Sequence, residues 1–459
     1  MVREESRASP IRRPARATKR LIGWGISSGF VRHAGLPLLF LLFHTFGISA
    51  ATGVPRLDPD YGATVDQWWA GYPFNPESSH YQPEIKSPSP FRELKPGDSI
   101  QEAIDSLPAS GGTVKLAKGT YAGFQIVGRS HVHIVADEGA TVLGRCRVAS
   151  SREAMDYGTY DRHVSRRGQR LPHYWELHKK PTRDYYFRNL TFDGENEATS
   201  AIGLQRVYDV VFDQCTFQNY VNPKKGHPGL VWGHEGLNNI WCRDCRFLGE
   251  CVYASYLDGC HGSGMIRCTV ELSRFNSGGF LYLTNDDFTE DINENGRTDR
   301  EEERTAKYIV IYKCTFNGNN HSAVQVTGEN ILVTQCEAKG RLGYFVGSDP
   351  RWADSDHKLA YRFHEFHLIN NRVGQCREAL MLSRNLAPVS CPPDVLVPRM
   401  GRATIRGNVV EDCPRLLKEI TLPHPDFRKE GAKTATFEGP NVLENNTVAG
   451  KLIVKGELP

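Results

Sequence analysis

The sequence lacks three features that would quickly assign it to a common class. Its main apolar run, GLPLLFLLFHTFGISAA, is short for a membrane span and ends in small residues placed as in a signal-peptidase site. No C-x-x-C pair accompanies the one formed by Cys242 and Cys245, which argues against a zinc site. No excess of positive charge remains once the basic front of the chain is set aside.

Residues 1–51 have the composition of a secretory leader with a long basic front. They carry eight Lys+Arg and two Asp+Glu, a net +6, so the whole-chain charge of +3 leaves −3 for the remainder. A mildly acidic exported protein is a poor candidate for binding nucleic acid. We therefore expect a secreted, periplasmic or cell-surface protein with no membrane span after leader removal. An uncleaved anchor is the alternative.

A strand-like phrase recurs from Tyr185 onward, for example as YYFRNLTFDG, VYDVVFDQCTFQN and KYIVIYKCTFNG. The simplest spacing is roughly 22 to 25 residues, and repeats of that period without intervening helices predict a β-solenoid. Aligning the phrases predicts one inward-facing ladder at a bend of each coil. Its members are Leu190, Cys215, Cys245, Ser273, Cys314, Cys336, Asn371, Asn408 and Asn446. We therefore expect its cysteines to be buried thiols rather than disulfide or metal partners.

The segment GDSIQEAIDSLPASGGTVKLAKGTY predicts a short helix followed by a strand. Ser99 and Glu102 form a capping box, and apolar residues follow at helical spacing until Pro108 and a Gly-Gly pair end the helix. Such a helix would cover the open end of a solenoid. Together with TVKLAKGTY, HVHIVADEGATVLG and the coils, it resembles the start of right-handed parallel β-helix proteins of the pectate-lyase-like superfamily. The resemblance covers roughly residues 90–455.

This resemblance implies an all-β fold, a right-handed parallel β-helix over 91–459 with a short N-terminal capping helix. A flanking segment at 52–90 would precede it. The resemblance also implies a groove along one sheet for an extended glycan, but the superfamily includes lyases, hydrolases, epimerases and non-enzymatic proteins. Two insertions are expected, at 150–183 and 286–306. The first is basic and would attract an anionic polysaccharide.

The second insertion contains DINENGRTDREE, which has the spacing of an EF-hand or dockerin-type calcium loop. A hard cation needs six or more oxygens around one point, and Gly296 permits the sharp turn. The expected ligands are Asp291, Asn293, Asn295, the Arg297 carbonyl, Asp299 and Glu302. A full loop of this kind leaves little room for a substrate ligand, so we expect a structural calcium. A solvated acidic loop is the alternative.

Charged residues follow the second strand of each coil. Because adjacent coils lie about 4.8 Å apart, residues distant in sequence are expected to form one row along the solenoid. We expect catalytic residues among Asp258, His261, Asp286, Asp287, Tyr344 and Arg351. We expect substrate contacts from His234, Glu235, Tyr282, His321, Arg341 and Arg384. Phe280, Tyr282 and Tyr344 are expected to face outward as platforms for sugar rings.

Two reactions fit this row. Hydrolysis needs a carboxylic acid and a carboxylate flanking the glycosidic bond, which Asp258 with Asp286 or Asp287 would supply. β-Elimination needs a base and a cation beside a uronate carboxylate, roles open to His261, Tyr344 and the arginines. A uronan epimerase shares the elimination chemistry, and a non-catalytic carbohydrate-binding or surface protein is the alternative from another class.

Replacing Glu302 by Gln tests the calcium loop. The change removes the carboxylate expected to bind the ion through two oxygens, so calcium affinity should fall by about tenfold or more. Glu301→Gln, one residue earlier and at no ligand position, is the matched control and should leave the affinity unchanged. Calorimetric titration of the exported chain with calcium measures both. Equal affinities of the two variants, or no calcium binding by the wild type, would contradict the loop.

Overall fold

The structure is a computed structural model that describes residues 85–157, 182–221, 229–234, 237–250, 253–258, 260–272, 279–284, 306–326, 328–347, 362–383, 399–413, 415–420 and 436–456. The predicted leader, most of the basic insertion and the whole predicted calcium loop lie outside these residues. All described residues belong to one compact unit, Ala50–Pro459. No helix in the described stretches is long and apolar enough to cross a membrane.

The described chain forms 31 strands that stack, coil upon coil, into three faces. Every pairing among these described strands is parallel except the last, in which β31 (Lys451–Gly456) runs antiparallel to β30 (Val442–Val448). Parallel neighbours come from successive coils, so each coil bonds its backbone to the coils before and after it. The chain is therefore a right-handed parallel β-helix, which confirms the fold class predicted from the repeats.

Three ladders of strands make up the faces. Face A contains β4 (Gln125–Val127), β6 (Cys146–Ala149), β8 (Ile202–Gln205), β11 (Gly229–His234), β14 (Tyr253–Asp258), β17 (Gly279–Thr284), β20 (Asn320–Val326), β28 (Arg415–Ile420) and the second halves of β22 (Glu337–Gly347) and β24 (Arg372–Ser383). Face B contains β1 (Phe91–Leu94), β2 (Gly112–Leu116), β9 (Val207–Asp213), β12 (Asn238–Arg243), β15 (His261–Ile266), β18 (Lys307–Tyr312), β21 (Gly328–Thr334), β23 (Arg362–Ile369), β25 (Arg399–Gly401), β26 (Thr404–Arg406), β29 (Thr436–Glu438) and the first halves of β5 (Val132–Leu143), β7 (Thr182–Asp193) and β30. Face C contains β3 (Gly119–Ala122), β10 (Thr216–Tyr220), β13 (Arg246–Gly249), β16 (Thr269–Leu272), β19 (Thr315–Asn317), β27 (Val409–Asp412) and the remaining halves of β5, β7, β22, β24 and β30.

Each coil visits the faces in the order B, C, A. The chain passes, for example, from β9 through β10 to β11 before β12 begins the next coil. The five longest undescribed segments within the β-helix, 158–181, 285–305, 348–361, 384–398 and 421–435, all connect face A to face B. The long connections therefore all follow strands of face A.

The predicted capping helix is present as α1 (Ile100–Ser106), and a second short helix, α2 (Arg152–Tyr157), follows β6. The Glu102 N–H donates to the Ser99 Oγ at 3.2 Å, as expected for the N-cap of a capping box. Ile100 and Ile104 are buried against the first strands. The helix thus covers apolar surface that the first coil would otherwise expose to water.

From β7 onward, each described bend from face B to face C contains a residue in the left-handed conformation, with φ between 51° and 66°. These residues are Asn189, Gln214, Asp244, Arg267, Lys313, Gln335, Asn370, Gly407 and Asn445. The residue that follows each of them is buried, which forms the ladder Leu190, Cys215, Cys245, Cys268, Cys314, Cys336, Asn371, Asn408 and Asn446. This ladder is the predicted one with a single exception.

Cys268, and not Ser273, occupies the ladder position between Cys245 and Cys314. The sequence alignment matched the aromatic residue of SRF to the aromatic residue of CTF in the neighbouring phrase. In the structure Val270 takes that place, because it pairs with Phe247 on one side and with Phe316 on the other. Because Val270 is aliphatic where the neighbouring coils have phenylalanine, the alignment placed the ladder residue five positions too late. Ser273 itself lies outside the described residues.

The ladder joins neighbouring coils through two kinds of hydrogen bond. Its thiols donate to backbone carbonyls of the preceding coil, with Sγ–O distances of 3.3–3.4 Å. Beyond Cys336, asparagine amides replace the thiols. The Asn371 N–H donates to Asn408 Oδ1 at 3.0 Å, and Asn408 Nδ2 donates to the Leu368 carbonyl at 2.9 Å. The ten cysteines in the described part of the chain are all buried, and none of them forms a disulfide.

The three faces differ in their outer surfaces. On face B this surface is apolar and buried, and Tyr186, Trp241 and Tyr312 are only 1–5% exposed. On face C it is polar, as shown by the paired Thr191 and Thr216. On face A it carries aromatic and cationic side chains.

Asn408→Ala tests the role of the asparagine ladder. The side chain of Asn408 bonds to Asn371, Leu368 and Asn446, so its removal leaves buried polar groups on two coils without partners. The free energy of unfolding should fall by about 2–4 kcal/mol, measured by urea denaturation. Gln375→Ala removes one exposed hydrogen bond on face C and should cost about 0.5 kcal/mol or less. Equal losses from the two variants would contradict the ladder.

The thiols should be protected from alkylation in the native protein. The ten described cysteines are buried, and burial raises the pKa of the Cys146 and Cys260 thiols to about 12, which keeps them protonated near neutral pH. Iodoacetamide at pH 8 should therefore label at most Cys251 and Cys391, and should label all twelve cysteines after denaturation. Rapid labelling of native Cys245 or Cys314, detected by mass spectrometry, would contradict the burial of the ladder thiols.

Candidate functional site

Four of the predicted site residues belong to face A or to its carboxyl-terminal edge. His234 ends β11, Asp258 ends β14, His261 begins β15 and Tyr282 lies within β17. Gly233 pairs with Leu257, so the next residues, His234 and Asp258, are backbone neighbours on adjacent coils. The structure describes the backbone of these four residues and not their side chains. It therefore places them together at one edge without defining the contacts between them.

The other predicted residues of this row lie outside the described residues. They are Glu235, Asp286, Asp287, Arg351 and Arg384, together with the calcium ligands Asp291, Asn293, Asn295, Arg297, Asp299 and Glu302. Asp286 follows two residues after Thr284, which is the Cα partner of Asp258 on the next coil.

His321, Arg341 and Tyr344, three more of the predicted residues, lie toward the opposite edge of face A. His321 precedes Gln325 by four residues in β20, which is about 13 Å along the strand. Arg341 is exposed where the second half of β22 begins, beside Asn319, whose Oδ1 accepts from its backbone N–H. Neither residue is brought to the edge that carries Asp258, so the single row expected from the sequence is divided between two edges.

Tyr344 is not the outward platform expected from the sequence. Its side chain is 1% exposed, and its ring meets that of His321 edge to face with 4.7 Å between centroids. The ring also fills the space beside Gly347, where an added Cβ would overlap it. Because Gly347 has no side chain, the tyrosine folds over the strand instead of projecting from it. A ring buried to this extent offers no face to a glycan.

A continuous rung crosses the outer surface of face A. Its successive Cα partners are Gln125, Arg147, Gly203, Trp232, Tyr256, Tyr282, Gln325, Gly347, Met381 and Lys418. The neighbouring positions on these strands, such as Val148 and Leu204, belong to the core, so the rung lies on the outer side. Trp232 packs against Tyr253 and Tyr256, whose rings meet edge to face at 5.4 Å. We call this row the aromatic rung.

Arg145 adds charge beside the aromatic rung. It lies in the turn before β6, is exposed, and places its guanidinium carbon 6.0 Å from the centroid of the Trp232 ring, within cation–π range. Partial withdrawal from water and, secondarily, the like charge of Arg147 lower the pKa of Arg145 to about 10. Arg145 therefore stays protonated at neutral pH and carries its charge next to the indole.

Gly203 leaves a gap in the aromatic rung between Arg147 and Trp232. An added Cβ there would lie 3.5 Å from Trp232 Cε3, 3.6 Å from Gln205 Nε2 and 3.7 Å from Arg145 Nη2. Gln205 is 4% exposed, and its buried Oε1 accepts no hydrogen bond in the described structure. We call this gap the Gly203 notch. Gly203 is itself buried, and the notch holds no more than one methyl group between the indole edge, the Arg145 guanidinium and the Gln205 amide nitrogen.

Sequence reasoning missed these residues because the repeats were aligned only from Tyr185 onward. The coil that contains Arg145 and Arg147 precedes that point. The alternation in GRCRVA, with Cys146 and Val148 in the core, is the signal that would have identified β6 as a strand of face A. The contact between Arg145 and Trp232 joins residues two coils apart and has no local signal in the sequence.

A second polar cluster lies at face B. Asp184 is 1% exposed and approaches two histidines, with 2.6 Å from its Oδ2 to His131 Nδ1 and 3.0 Å from its Oδ1 to His133 Nε2. His133 also approaches Ser87 Oγ at 3.4 Å, which connects residues 85–90 to the first coils. In the described part of the chain, no group of three His, Cys, Asp or Glu side chains has the arrangement of a metal site.

No family model and no curated protein matches the sequence. Several solved structures resemble the chain. The A-module of the mannuronan C-5 epimerase AlgE4 of Azotobacter vinelandii is 14% identical, with 76% of this chain and 90% of that chain covered and a TM-score of 0.37. A hyperthermoactive exopolygalacturonase of Thermotoga maritima is 10% identical, with coverages of 79% and 93% and a TM-score of 0.41.

A tailspike protein mutant of the E. coli bacteriophage HK620, solved in complex with a pentasaccharide, is 13% identical. The alignment covers 78% of this chain and 63% of the tailspike chain, with a TM-score of 0.41. Similarities at this level assign no activity to the present chain. Its own strand pairing and side chains define it as a right-handed parallel β-helix with an aromatic and cationic outer surface on face A.

Proposed function

We propose that this chain is an exported protein that acts on an extracellular or envelope polysaccharide bound along the outer surface of face A. The aromatic rung is the observation that best supports this function. Trp232 is partly exposed and packs against the buried Tyr256 of the next coil, and the Arg145 guanidinium lies beside the indole. Aromatic rings offer an apolar face to sugar rings while their polar edges and neighbours bond the hydroxyls. Coils spaced about 4.8 Å apart present such contacts repeatedly along an extended chain.

We place the reaction at the carboxyl-terminal edge of face A. Asp258 and His234 are backbone neighbours there, and Asp286 and Asp287 follow Thr284, the partner of Asp258. This connectivity supports a pair of carboxylates within the separations of about 5–9.5 Å that glycoside hydrolysis uses. The acid and base of hydrolysis would be Asp258 with Asp286 or Asp287. The proposed calcium loop begins four residues beyond Asp287 and would order this part of the insertion.

β-Elimination is the second candidate reaction, and epimerisation would share its first step. His261 begins β15 three residues after Asp258, which puts an imidazole in the chain next to the same edge. A base at His261 would remove the proton beside a uronate carboxylate, and a cation at Arg351 would stabilise the negative charge of the enolate that forms. The two reactions share a site and differ in their products, since only elimination creates an unsaturated sugar.

A panel of anionic and neutral polysaccharides tests the proposal. The exported chain is incubated with each one, with calcium or with chelator, while reducing ends and ultraviolet absorbance of unsaturated uronate are followed. Reducing ends without absorbance indicate a hydrolase, and both signals together indicate a lyase. Retention on an immobilised glycan without either signal supports the non-catalytic binding protein, or an epimerase if the sugar composition changes. Neither products nor retention on any glycan would refute the proposed function.

Asp258→Asn separates a catalytic role from a structural one. If Asp258 is the acid or base, kcat on the responding glycan should fall by about 10²–10⁴-fold, while the affinity for the glycan changes little. Asp412→Asn, an exposed residue of face C that bonds Gln375, makes the same charge change away from face A and should keep full activity. Unchanged kcat in Asp258→Asn would exclude this residue and leave the elimination residues.

A further inference from the structure

The outer surface of face B carries one long row of buried residues. Its positions are successive Cα partners, namely Thr113, His133, Tyr186, Val211, Trp241, Gly264, Val310 and Leu332. They alternate along their strands with core residues such as Phe187 and Ile309, so they lie on the side that points away from the interior. All are nevertheless buried. We call these residues the face B row.

The buried area has defined limits. The neighbouring outward row is also buried over four coils, at Arg243, Ile266, Tyr312 and Thr334. Two coils before Arg243, Arg188 of that same row is exposed. Beyond Leu332, the next partner in the face B row, His367, is only half-buried. The cover is therefore one row wide at the first coils and two rows wide between β12 and β21.

The described residues do not account for this cover. Among them, α1 packs against β1 and β2, α2 packs against β6, and residues 85–90 lie on the first coils of face B. The other described residues form the strands and the bends between them. Side chains as large as Trp241 and Leu332 become buried only when other groups exclude water from them. A further part of the chain, or a partner, must therefore lie on the face B row.

Residues 85–90 follow the face B row from one coil to the next. The Thr113 Oγ1 donates to the Pro88 carbonyl at 2.7 Å, and Ser87 Oγ lies 3.4 Å from His133 Nδ1 on the next coil. Ile85 packs against the apolar cluster that contains Tyr186, which is one coil further. From Pro88 back to Ile85, the chain therefore crosses the strands in the direction of the later coils.

Residues 52–84 precede Ile85 and have the length and composition to continue along this row. The five coil spacings from Tyr186 to Leu332 amount to about 24 Å, which roughly eight residues of extended chain would span. Prolines throughout the segment favour an extended backbone over a helix. The segment also contains the aromatic residues Tyr61, Trp68, Trp69, Tyr72, Phe74 and Tyr81. Such residues match an apolar surface.

We propose that residues 52–84 form a strap that runs in extended conformation along the face B row and covers it with aromatic side chains. The strap joins the coils from β2 to β21 and hides an apolar surface that would otherwise favour association between chains. The inference concerns a different face from the proposed glycan surface and does not rest on the proposed function.

The long connections from face A are less suitable occupants. Residues 158–181, 285–305 and 348–361 lead into the starts of β7, β18 and β23, so they join face B in line with its strands. Residues 85–90, in contrast, cross the strands on the outer surface. A second copy of the chain is the remaining alternative, and the experiment distinguishes all three.

Photo-crosslinking in the full exported chain identifies the occupant. Trp241→p-benzoylphenylalanine and Tyr312→p-benzoylphenylalanine each place a photoreactive ketone on the covered surface, where both native side chains are at most 5% exposed. After irradiation and trypsin digestion, mass spectrometry should find cross-links to the peptide of residues 57–86. Arg246→p-benzoylphenylalanine, at an exposed position on face C, is the matched control and should give no cross-link to that peptide.

A mixture of isotopically light and heavy chains separates a strap from a second copy. A strap predicts cross-links within light chains and within heavy chains only. Cross-links between light and heavy chains would assign the surface to a second copy. Cross-links to residues 158–181 or to another connection would assign it to that connection. Either result would overturn the proposal.

A thiol-accessibility measurement tests the strap without a bulky probe. Val310→Cys adds one small thiol at a position that is 0% exposed, and it should resist iodoacetamide in the full chain. Replacing residues 57–81 by a Gly-Ser sequence of equal length should increase its labelling rate by about tenfold or more, because the aromatic cover is removed. The same replacement of residues 158–181 is the matched control and should leave the thiol protected. Circular dichroism checks that both variants keep the β-structure of the wild type.

Continued protection of the thiol after replacement of 57–81, or equal exposure in the control, would refute the strap. Neither measurement involves a glycan. The strap and the proposed function therefore stand or fall separately.

Discussion

The tight bend between face B and face C is the constraint on which the rest of the molecule depends. One residue in the left-handed conformation turns the chain, and the next residue is buried in the interior. From Cys215 onward that buried residue is a thiol or an asparagine, whose polar group bonds to the preceding coil. Because the bend recurs in the described coils from β7 onward, it keeps the strands of successive coils in the same order on all three faces.

Register in turn decides which side chains become neighbours on the outer surface. A shift of one residue would move every side chain to the other side of its strand. The same register that stacks Phe192 on Phe217 in the interior, with 5.0 Å between centroids, aligns Trp232 with Tyr256 outside. The candidate site is therefore a consequence of core packing, and no local element positions it. Changes in the ladder would be expected to alter the aromatic rung as well as stability.

The connections between the faces differ greatly in length. Short bends join face B to face C, whereas long segments leave face A on the way to face B. Loops can lengthen at little thermodynamic cost when the coils on both sides remain paired. Reactive side chains carried on such loops would then lie beside a rigid surface that binds and orients a polymer. This separation of binding surface from reactive loops is consistent with the proposed function.

Much of the fold was predictable, because each coil repeats a local pattern. The residue in the left-handed conformation and the ladder residue after it are consecutive in the chain. The sequence of a single coil was therefore enough to identify Cys314 or Asn408 as a ladder residue. The alignment was wrong at Ser273 because this coil has Val270 where the neighbouring coils have an aromatic residue. The nearby Phe275 was aligned with those aromatic residues instead. The site was less predictable. His321 and Tyr344 were expected near Asp258, but strand direction puts them at the opposite edge of face A.

The sequence by itself determined the solenoid, its period, its capping helix and the interior ladder, since these depend on residues close together in the chain. Only the tertiary structure decided that Trp232 lies beside Arg145, that Gly203 leaves a gap between them, and that Tyr344 is buried over Gly347. Such contacts depend on the lateral stacking of coils about 4.8 Å apart. A repeat in the sequence predicts that coils stack, but the contacts between side chains of different coils follow from the register that the packed core selects.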